Sequence, residues 1–421
     1  MLDIQYIREN EEKVKKGLEK KKQDPKLVDK FLHADEELRG KILAFETLKA
    51  EQNALSKQLS AGRSEDLVNK AQVMKKRLAE LETEREELEK KRSDILSRIP
   101  NMPFEDVIVG KDETENKVVR EVGEKRDFES EGFKPLDYLV IGEKLGIINV
   151  KKAAEVSGSR FGYLLKDAVL LEFALVKLAM DTLLERNFTP AVPPVMIKPD
   201  VYEGMGRLAA DQKDERYYFE KDDLYLVGSS EHTMGPIHMN EVLEVETLPR
   251  RYVAFSTCFR REAGTYGKDT KGILRVHQFD KVEMFSFSHP EKSEEEHKFL
   301  LDCQETLWKK LQIPYRVIEL CTGDMGWTDA RQFDIEAWMP GQGTYRETNS
   351  CSNTTDFQSR GTNIKYKNKE GKKELVHMLN ATAFAIGRTI IAIIENNQMK
   401  DGTIKVPKVL QAYVGKEIIT L

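Results

Sequence analysis

Cysteine is scarce in this sequence: Cys258, Cys303, Cys321 and Cys351 lie far apart, and no C-x-x-C pair occurs. That excludes a zinc ribbon, a disulfide framework or a dithiol redox centre, and free thiols are expected. Long apolar runs are missing as well. The most apolar stretches, 168–184 and 383–394, are short or carry Glu172, Lys177 and Arg388, so they read as core helices and not as membrane spans. The first ten residues mix acids and bases where a signal peptide would be apolar, so a cytoplasmic location without a membrane partner is expected. There is no basic excess either. With a formal net charge of -5, the chain cannot hold nucleic acid by bulk electrostatics, and a polynucleotide would have to meet a local basic surface. No G-x-G-x-x-G follows a strand pattern, and Gly267 and Gly272 have P-loop spacing but are followed by Ile273-Leu274 instead of Lys and Ser/Thr. Phosphate, if bound, needs another device.

What is present divides into two regions. At 421 residues the chain exceeds what one core organises, and 33% charged residues beside 40% hydrophobic ones suit long solvated helices. From Leu27 to Ile99 there is no proline, and Glu, Lys, Leu, Ala and Gln dominate. Leu67, Ala71, Met74, Leu78, Leu81, Arg85, Leu88, Arg92, Ile95 and Ile99 recur in steps of four and three, a heptad seam. Leu38, Ile42, Phe45, Leu48, Gln52, Leu55 and Leu59 form a second seam, and Gly62 with small polar neighbours separates the two. The pattern predicts an antiparallel helical hairpin, its second helix roughly 50 Å long. Periodicity alone would equally suit a dimerisation coiled coil or a spacer. Pro100 and Pro103 stop the helix. Beyond them helices are expected near 135–145, 153–157 and 165–187, with strands at 225–227, 252–259 and 274–287, which suggests an antiparallel sheet flanked by helices.

The chemistry concentrates in FRREAGTYGKDTKGILRVHQFDKVE, residues 259–283. It reads as two strands around a loop with Gly264, Gly267, Gly272, Lys268 and Lys271, and alternation places Arg275, His277, Phe279, Lys281 and Glu283 on one strand face. An aromatic face for a purine, guanidinium forks for phosphate and a carboxylate for an ammonium suit a nucleotide beside an amino acid.

This string closely resembles motif 2 of class II aminoacyl-tRNA synthetases in its seryl-tRNA synthetase form, F-R-x-E-A-G-x-x-G-x-D-T-x-G-x-x-R-x-H-Q-F-x-K-x-E, and the similarity runs over essentially the whole chain. The resemblance implies an α+β fold: an N-terminal antiparallel helical coiled-coil arm (about 27–99) within a tRNA-binding domain 1–103, then a class II synthetase catalytic domain, 104–421. It implies a ligase that activates L-serine with ATP and charges tRNA(Ser), with tRNA(Sec) a second candidate acceptor. Arg260, Arg275 and Arg388 would be catalytic. Arg260, Arg261, Glu262, Val276, Phe279 and Arg388 would hold ATP together with Glu347, Thr348, Asn349 and Ser350, where R-E-T-N-S-C-S-N resembles the family's E-x-x-S-C-S-N strand. Glu347 and Ser350 would approach Mg2+. Arg388 belongs to A-I-G-R-T-I-I-A, similar to motif 3, and F-T-P-A-V-P-P at 188–194 resembles motif 1, which implies a homodimer.

Serine-binding residues implied are Ser229, Ser230, Glu231, Arg260, Glu283, Asn380 and Thr382. Two stretches depart from the family pattern: Ser229-Ser230-Glu231 stands for T-A-E, and Asn380-Ala381-Thr382-Ala383 for N-G-S-G. The bulkier Thr382 would tighten the pocket. An amino acid–carrier protein ligase and a class II enzyme for another amino acid are the alternatives. His277 and His377 are expected to be structural hydrogen-bonders.

Overall fold

The computed structural model describes residues 1–62, 64–208, 212–263 and 271–421. Two compact units follow one another in the chain, Met1–Pro100 and Asn101–Leu421.

The first unit is helical throughout: α1 (Ile4–Glu9), α2 (Glu11–Lys20), α3 (Lys26–Ala61) and α4 (Glu65–Ser97). α3 and α4 form the long hairpin, and every residue named in the two seams is at least half-buried. Two seam positions are arginines, and both find partners. The Arg85 guanidinium lies 5.1 Å from the Phe45 ring centroid, and Arg92 Nη1 lies 3.2 Å from an oxygen of Asp35. Asp35 is fully buried and also accepts two hydrogen bonds from Arg8, at 2.8 and 2.9 Å. Burial disfavours its charge, but the arginines outweigh that, and its carboxyl is held below the usual range. The turn differs from the expected one. Gly62 has an extended φ of -173°, open to any residue, and the break is made by Ser64, whose Oγ caps α4 by accepting from Leu67 N.

The second unit is built on an eight-stranded sheet. In chain order its strands are β1 (Lys117–Val122), β2 (Thr189–Ala191), β3 (Arg250–Phe259), β4 (Gln278–Ser288), β5 (Tyr315–Glu319), β6 (Arg331–Met339), β7 (Thr344–Asn353) and β8 (His377–Ala385). Their spatial order is β1-β5-β6-β7-β8-β4-β3-β2, antiparallel except for the edge pair β2 and β3. Helices α5 (Tyr138–Lys144), α6 (Asp167–Leu184), α7 (Ser293–Leu311) and α8 (Ile386–Asn397) contribute to the main apolar core with one face of the sheet. Val282 and Met284 of β4 point into that core, which leaves Lys281 and Glu283 to the opposite face. No helix among the described residues is long and apolar enough to cross a membrane.

One strand boundary departs from expectation. The second strand of the 259–283 hairpin starts at Gln278, so Arg275 and His277 precede it. The reason lies outside the hairpin. Ile273 N donates to Tyr138 Oη of α5, and His277, although its carbonyl still accepts from Arg260 N, turns its own N–H to the Arg160 carbonyl, so the ladder with β3 ends there.

Candidate active site

The hairpin arranges its functional groups through its ends as much as its strands. At the exit of β3, Glu262 adopts a left-handed φ of +52° and accepts from Arg275 Nη1 at 3.2 Å. Arg260 donates from Nε to the Gly228 carbonyl, 3.1 Å away, and its guanidinium lies 5.3 Å from the Phe279 ring centroid. His277 donates from Nδ1 to the Arg260 carbonyl, a structural tie across the hairpin mouth. On the return, Gly272 has φ +83°, and a Cβ there would sit 1.8 Å from Tyr138 Oη. Only glycine fits that approach. Gly264, Gly267 and Lys268 lie outside the described residues.

Two cavities adjoin on the open face of the sheet. The first, of about 170 Å³, is lined by Arg260, Glu262, Arg275, Val276, Phe279, Glu347, Thr348, Ser350, Thr382 and Arg388, with Lys281 and Gln332. The second, of about 410 Å³, shares Arg260, Glu262, Lys281, Gln332 and Ser350 and adds Ser229, Glu231 and Asn380. Two β-bulges make the first cavity possible. The β6–β7 register shifts at Thr348, so Glu347 and Ser350, three apart, face the same side; the β4–β8 register shifts at Ala383, with the same result for Thr382 and Ala385. Arg388, in the first turn of α8, donates to the Glu347 carbonyl at 2.9 Å and pairs with its carboxylate at 3.2 Å, which holds Glu347 below the usual carboxylate range.

Buried charge lines the second cavity through Lys281 and Glu231, and Lys281 carries it on to Glu283, which lines neither cavity itself. Glu283, 1% exposed, pairs with Lys281 at 2.6 Å and accepts from Thr382 Oγ1 at 3.2 Å. Burial pushes its carboxyl up, against the pull of Lys281. Glu231 pairs with Arg207 at 2.7 Å and is held below the usual range because Arg207, Lys281 and Arg260 outweigh its burial. Several buried polar atoms in and around this cavity have no hydrogen-bond partner among the described residues, including Glu283 Oε1, Asn380 Nδ2 and Ser230 Oγ. Such orphans are costly unless a ligand supplies the missing partners.

Comparison with known proteins fits this geometry. Residues 217–397 match the class II tRNA synthetase core domain (G, H, P, S and T), and residues 1–103 match the seryl-tRNA synthetase N-terminal domain. The serine–tRNA ligase of Pyrococcus horikoshii is 44% identical, over 100% of this chain and 98% of its own; that of Thermobifida fusca is 42% identical over 100% and 99%. The chain belongs to the seryl-tRNA synthetase family. It is therefore a ligase. The seryl-tRNA synthetase of P. horikoshii, solved with ATP, superposes with a TM-score of 0.91 over 100% of this chain and 99% of that one. The cytoplasmic serine–tRNA ligase of Naegleria fowleri, solved with AMP, is 36% identical and superposes with 0.86 over 100% and 99%.

Within this synthetase, three of the residues named from sequence, besides Glu283, line neither cavity. Arg261 is exposed, lines neither cavity, and its backbone N–H donates to the Glu215 carbonyl. Ser230 is buried, at the start of the short helix Glu231–Met234, and only its sequence neighbours Ser229 and Glu231 line the second cavity. Asn349 points to the helical side of the sheet: Trp308 Nε1 donates to its Oδ1, and its Nδ2 donates to the Thr382 and Ala383 carbonyls. The bulge at Thr348 turns it away while its neighbours face the cavity. Sequence reasoning assigned no role to Lys281, Arg207 or Gln332. Lys281 alone carried a signal, its place two residues before Glu283 on a strand, which gives the two a common face.

Proposed function

We propose that the enzyme activates L-serine with ATP to give seryl-adenylate and pyrophosphate, then transfers the seryl group to the 3' end of tRNA(Ser). The observation that carries this reading is the pair of adjoining cavities joined at Arg260: one ringed by guanidinium groups and the Phe279 ring, the other lined by the buried Glu231 and by Lys281, whose partner Glu283 has an unpartnered oxygen. ATP suits the first, with Phe279 against adenine and Arg260, Arg275 and Arg388 on phosphate oxygens. Serine suits the second. Its ammonium supplies donors to Glu283 and Glu231, its carboxylate meets Arg260, and its hydroxyl reaches Thr382, Asn380 or Ser229. An analogue without the hydroxyl would leave such groups unmatched.

In the first step a serine carboxylate oxygen bonds to the α-phosphorus while the bond to the β-phosphate oxygen breaks and pyrophosphate leaves. In the second, a hydroxyl of the terminal tRNA ribose attacks the seryl carbonyl and AMP leaves. No enzyme nucleophile is needed. Arg260, Arg275 and Arg388 contribute by alignment and by neutralising charge that develops on phosphate. Glu347 and Ser350 offer a carboxylate and a hydroxyl on one face, an oxygen donor pair that fits Mg2+ completed by phosphate oxygens and water. When bound, the ion would polarise the phosphates. The α3–α4 hairpin, within the matched N-terminal domain, is the proposed grip on tRNA. A homodimer in the cytoplasm completes the reading, supported by exposed Leu170, Phe173 and Leu184 on α6 and Val192 beyond β2.

Pyrophosphate exchange with each amino acid in turn, followed by charging of total tRNA with tRNA(Ser) and tRNA(Sec) resolved, tests the proposal. Serine alone should support exchange, and Arg260→Ala should lose it by on the order of a hundredfold or more while staying folded. Serine-independent exchange, or near-normal exchange in that variant, would overturn it. Deleting 27–99 should spare exchange and abolish charging.

A further inference from the structure

The strands that wall the first cavity are not paired with each other where they wall it. β7 and β8 hydrogen-bond through Cys351–Ala381, Ser352–Asn380 and Asn353–Leu379, and there the ladder stops. Continued, it would have joined Ser350 to Thr382 and Asn349 to Ala383. Instead the strands part, each with a bulge at the gap, Thr348 on β7 and Ala383 on β8. Unpaired carbonyls in a buried gap would be costly.

Side chains from the helical side fill it. Asn349 Nδ2 donates to the Thr382 and Ala383 carbonyls, each at 2.8 Å. Gln304 of α7 donates from Nε2 to the Ser350 carbonyl at 2.8 Å and the Thr382 carbonyl at 2.9 Å, so it bridges both strands. Trp308, one turn along α7, donates from Nε1 to Asn349 Oδ1 at 2.7 Å, which fixes which way the amide faces. Gln304 and Trp308 are fully buried, and Asn349 nearly so. Asn349 and Gln304 thus replace the missing rungs with longer side-chain bridges.

We propose that Gln304, Trp308 and Asn349 form a wedge of positioning residues that holds β7 and β8 apart and thereby sets the spacing between the two walls of the ATP cavity. The wall on β7 carries Glu347 and Ser350; the wall on β8 carries Thr382 and leads into Arg388. If the wedge collapses, the strands close toward a regular ladder, and Glu347, Ser350 and Arg388 move relative to one another. Glu283 and Lys281 belong to β4, whose ladder with β3 is regular from Gln278 to Phe287, and Asn380 sits in the paired part of β8, so among the proposed serine contacts only Thr382 lies at the gap and the serine site should move less. The wedge rests on the reading that this cavity takes ATP.

The test is pyrophosphate exchange by the full-length enzyme with ATP and serine varied separately. Asn349→Leu keeps the volume and removes both donors; Trp308→Phe keeps an aromatic ring but removes the N–H that orients the amide, together with part of a buried side chain. Asn349→Leu should raise KM for ATP roughly tenfold or more, with KM for serine changed less than about threefold. Trp308→Phe should do the same to a smaller degree. Leu410→Val, in the core away from the wedge, serves as a stability control: it should lower Tm and leave the ratio of the two KM values unchanged. Folded Asn349→Leu or Trp308→Phe protein with an unchanged ratio would overturn the wedge. If Asn349→Leu does not fold, Trp308→Phe alone decides by the same criterion. Failure of the underlying ATP reading would look different, because the unmodified enzyme would then show no exchange with ATP and serine.

Discussion

Replacing Lys281 with methionine should expose the electrostatic design of the second cavity. The chain volume is nearly conserved, so packing should survive. What is lost is the ammonium 2.6 Å from Glu283, a carboxylate 1% exposed whose remaining donor is Thr382 Oγ1. Stranding a buried charge in this way costs about 3–5 kcal/mol. The group can escape by taking up a proton, and that sets a ceiling. From an ordinary glutamate value of about 4.3 to pH 7.5, at 1.36 kcal/mol per unit, protonation costs about 4 kcal/mol. A loss of about 3–4 kcal/mol at pH 7.5 is therefore expected. The sign of its pH dependence follows from the direction of the shift. An acid whose folded value is raised has its stability in full below the unfolded value and loses it as pH rises toward the folded one. Glu283 is already pushed up by burial, and removing Lys281 pushes it further. The deficit of the variant should thus be small near pH 4.5 and grow through pH 5 to 8. Urea titrations of the catalytic unit at several pH values measure it. A deficit that is absent, or constant across that range, would refute the claim that Lys281 compensates a buried charge. On the proposed assignment of the serine ammonium to Glu283, exchange activity should fall in parallel, since a neutral Glu283 would not attract it.

Two other perturbations probe separate parts of the chain. Asp35→Asn should destabilise the N-terminal unit by about 1–3 kcal/mol at pH 7, because Arg8, Arg39 and Arg92 lose their common anion but remain partly solvated. Asp35 is a depressed acid, so its contribution is present above an unfolded value of about 3.9 and is lost as pH falls through the folded value; the variant should lack that acid-dependent part when helicity is followed from pH 5 to pH 2. Gly272→Ala should abolish most exchange activity, because it combines a left-handed φ with a Cβ 1.8 Å from Tyr138 Oη. Adding Tyr138→Phe removes the 1.8 Å contact but leaves the ring Cζ 2.8 Å from the Cβ, and it leaves the backbone strain, of about 1 kcal/mol or more, so it should restore only part of the activity.

Much of this molecule was legible because its signals are local. A heptad seam needs only spacing, and the seam from Leu67 to Ile99 is buried or half-buried at every position in α4 and its end. The hairpin carries its chemistry in 25 consecutive residues, and the face shared by Phe279, Lys281 and Glu283 follows from a period of two. Arg388, alone in an apolar stretch, signalled an anion to be bound; in the structure it lines the first cavity and pairs with the half-exposed Glu347.

What sequence could not decide depends on register and on distant partners. E-T-N-S looks like four equivalent ligands, yet the bulge at Thr348 sends Glu347 and Ser350 to the cavity and Asn349 to the other side of the sheet. A bulge is set by the fit of neighbouring strands and leaves no period to read. Arg275 shares the alternation of β4 but stands outside the strand, because Tyr138, far earlier in the chain, holds Ile273 in another direction. The pairings of Arg207 with Glu231, and of Gln304 and Trp308 with the β7–β8 gap, join residues that only folding brings together. The sequence by itself determined which chemical groups the enzyme owns and the order of its elements; the tertiary structure alone decided which of those groups line the cavities and which bridge the gap between strands, because a side chain's direction is fixed by its neighbours across the sheet.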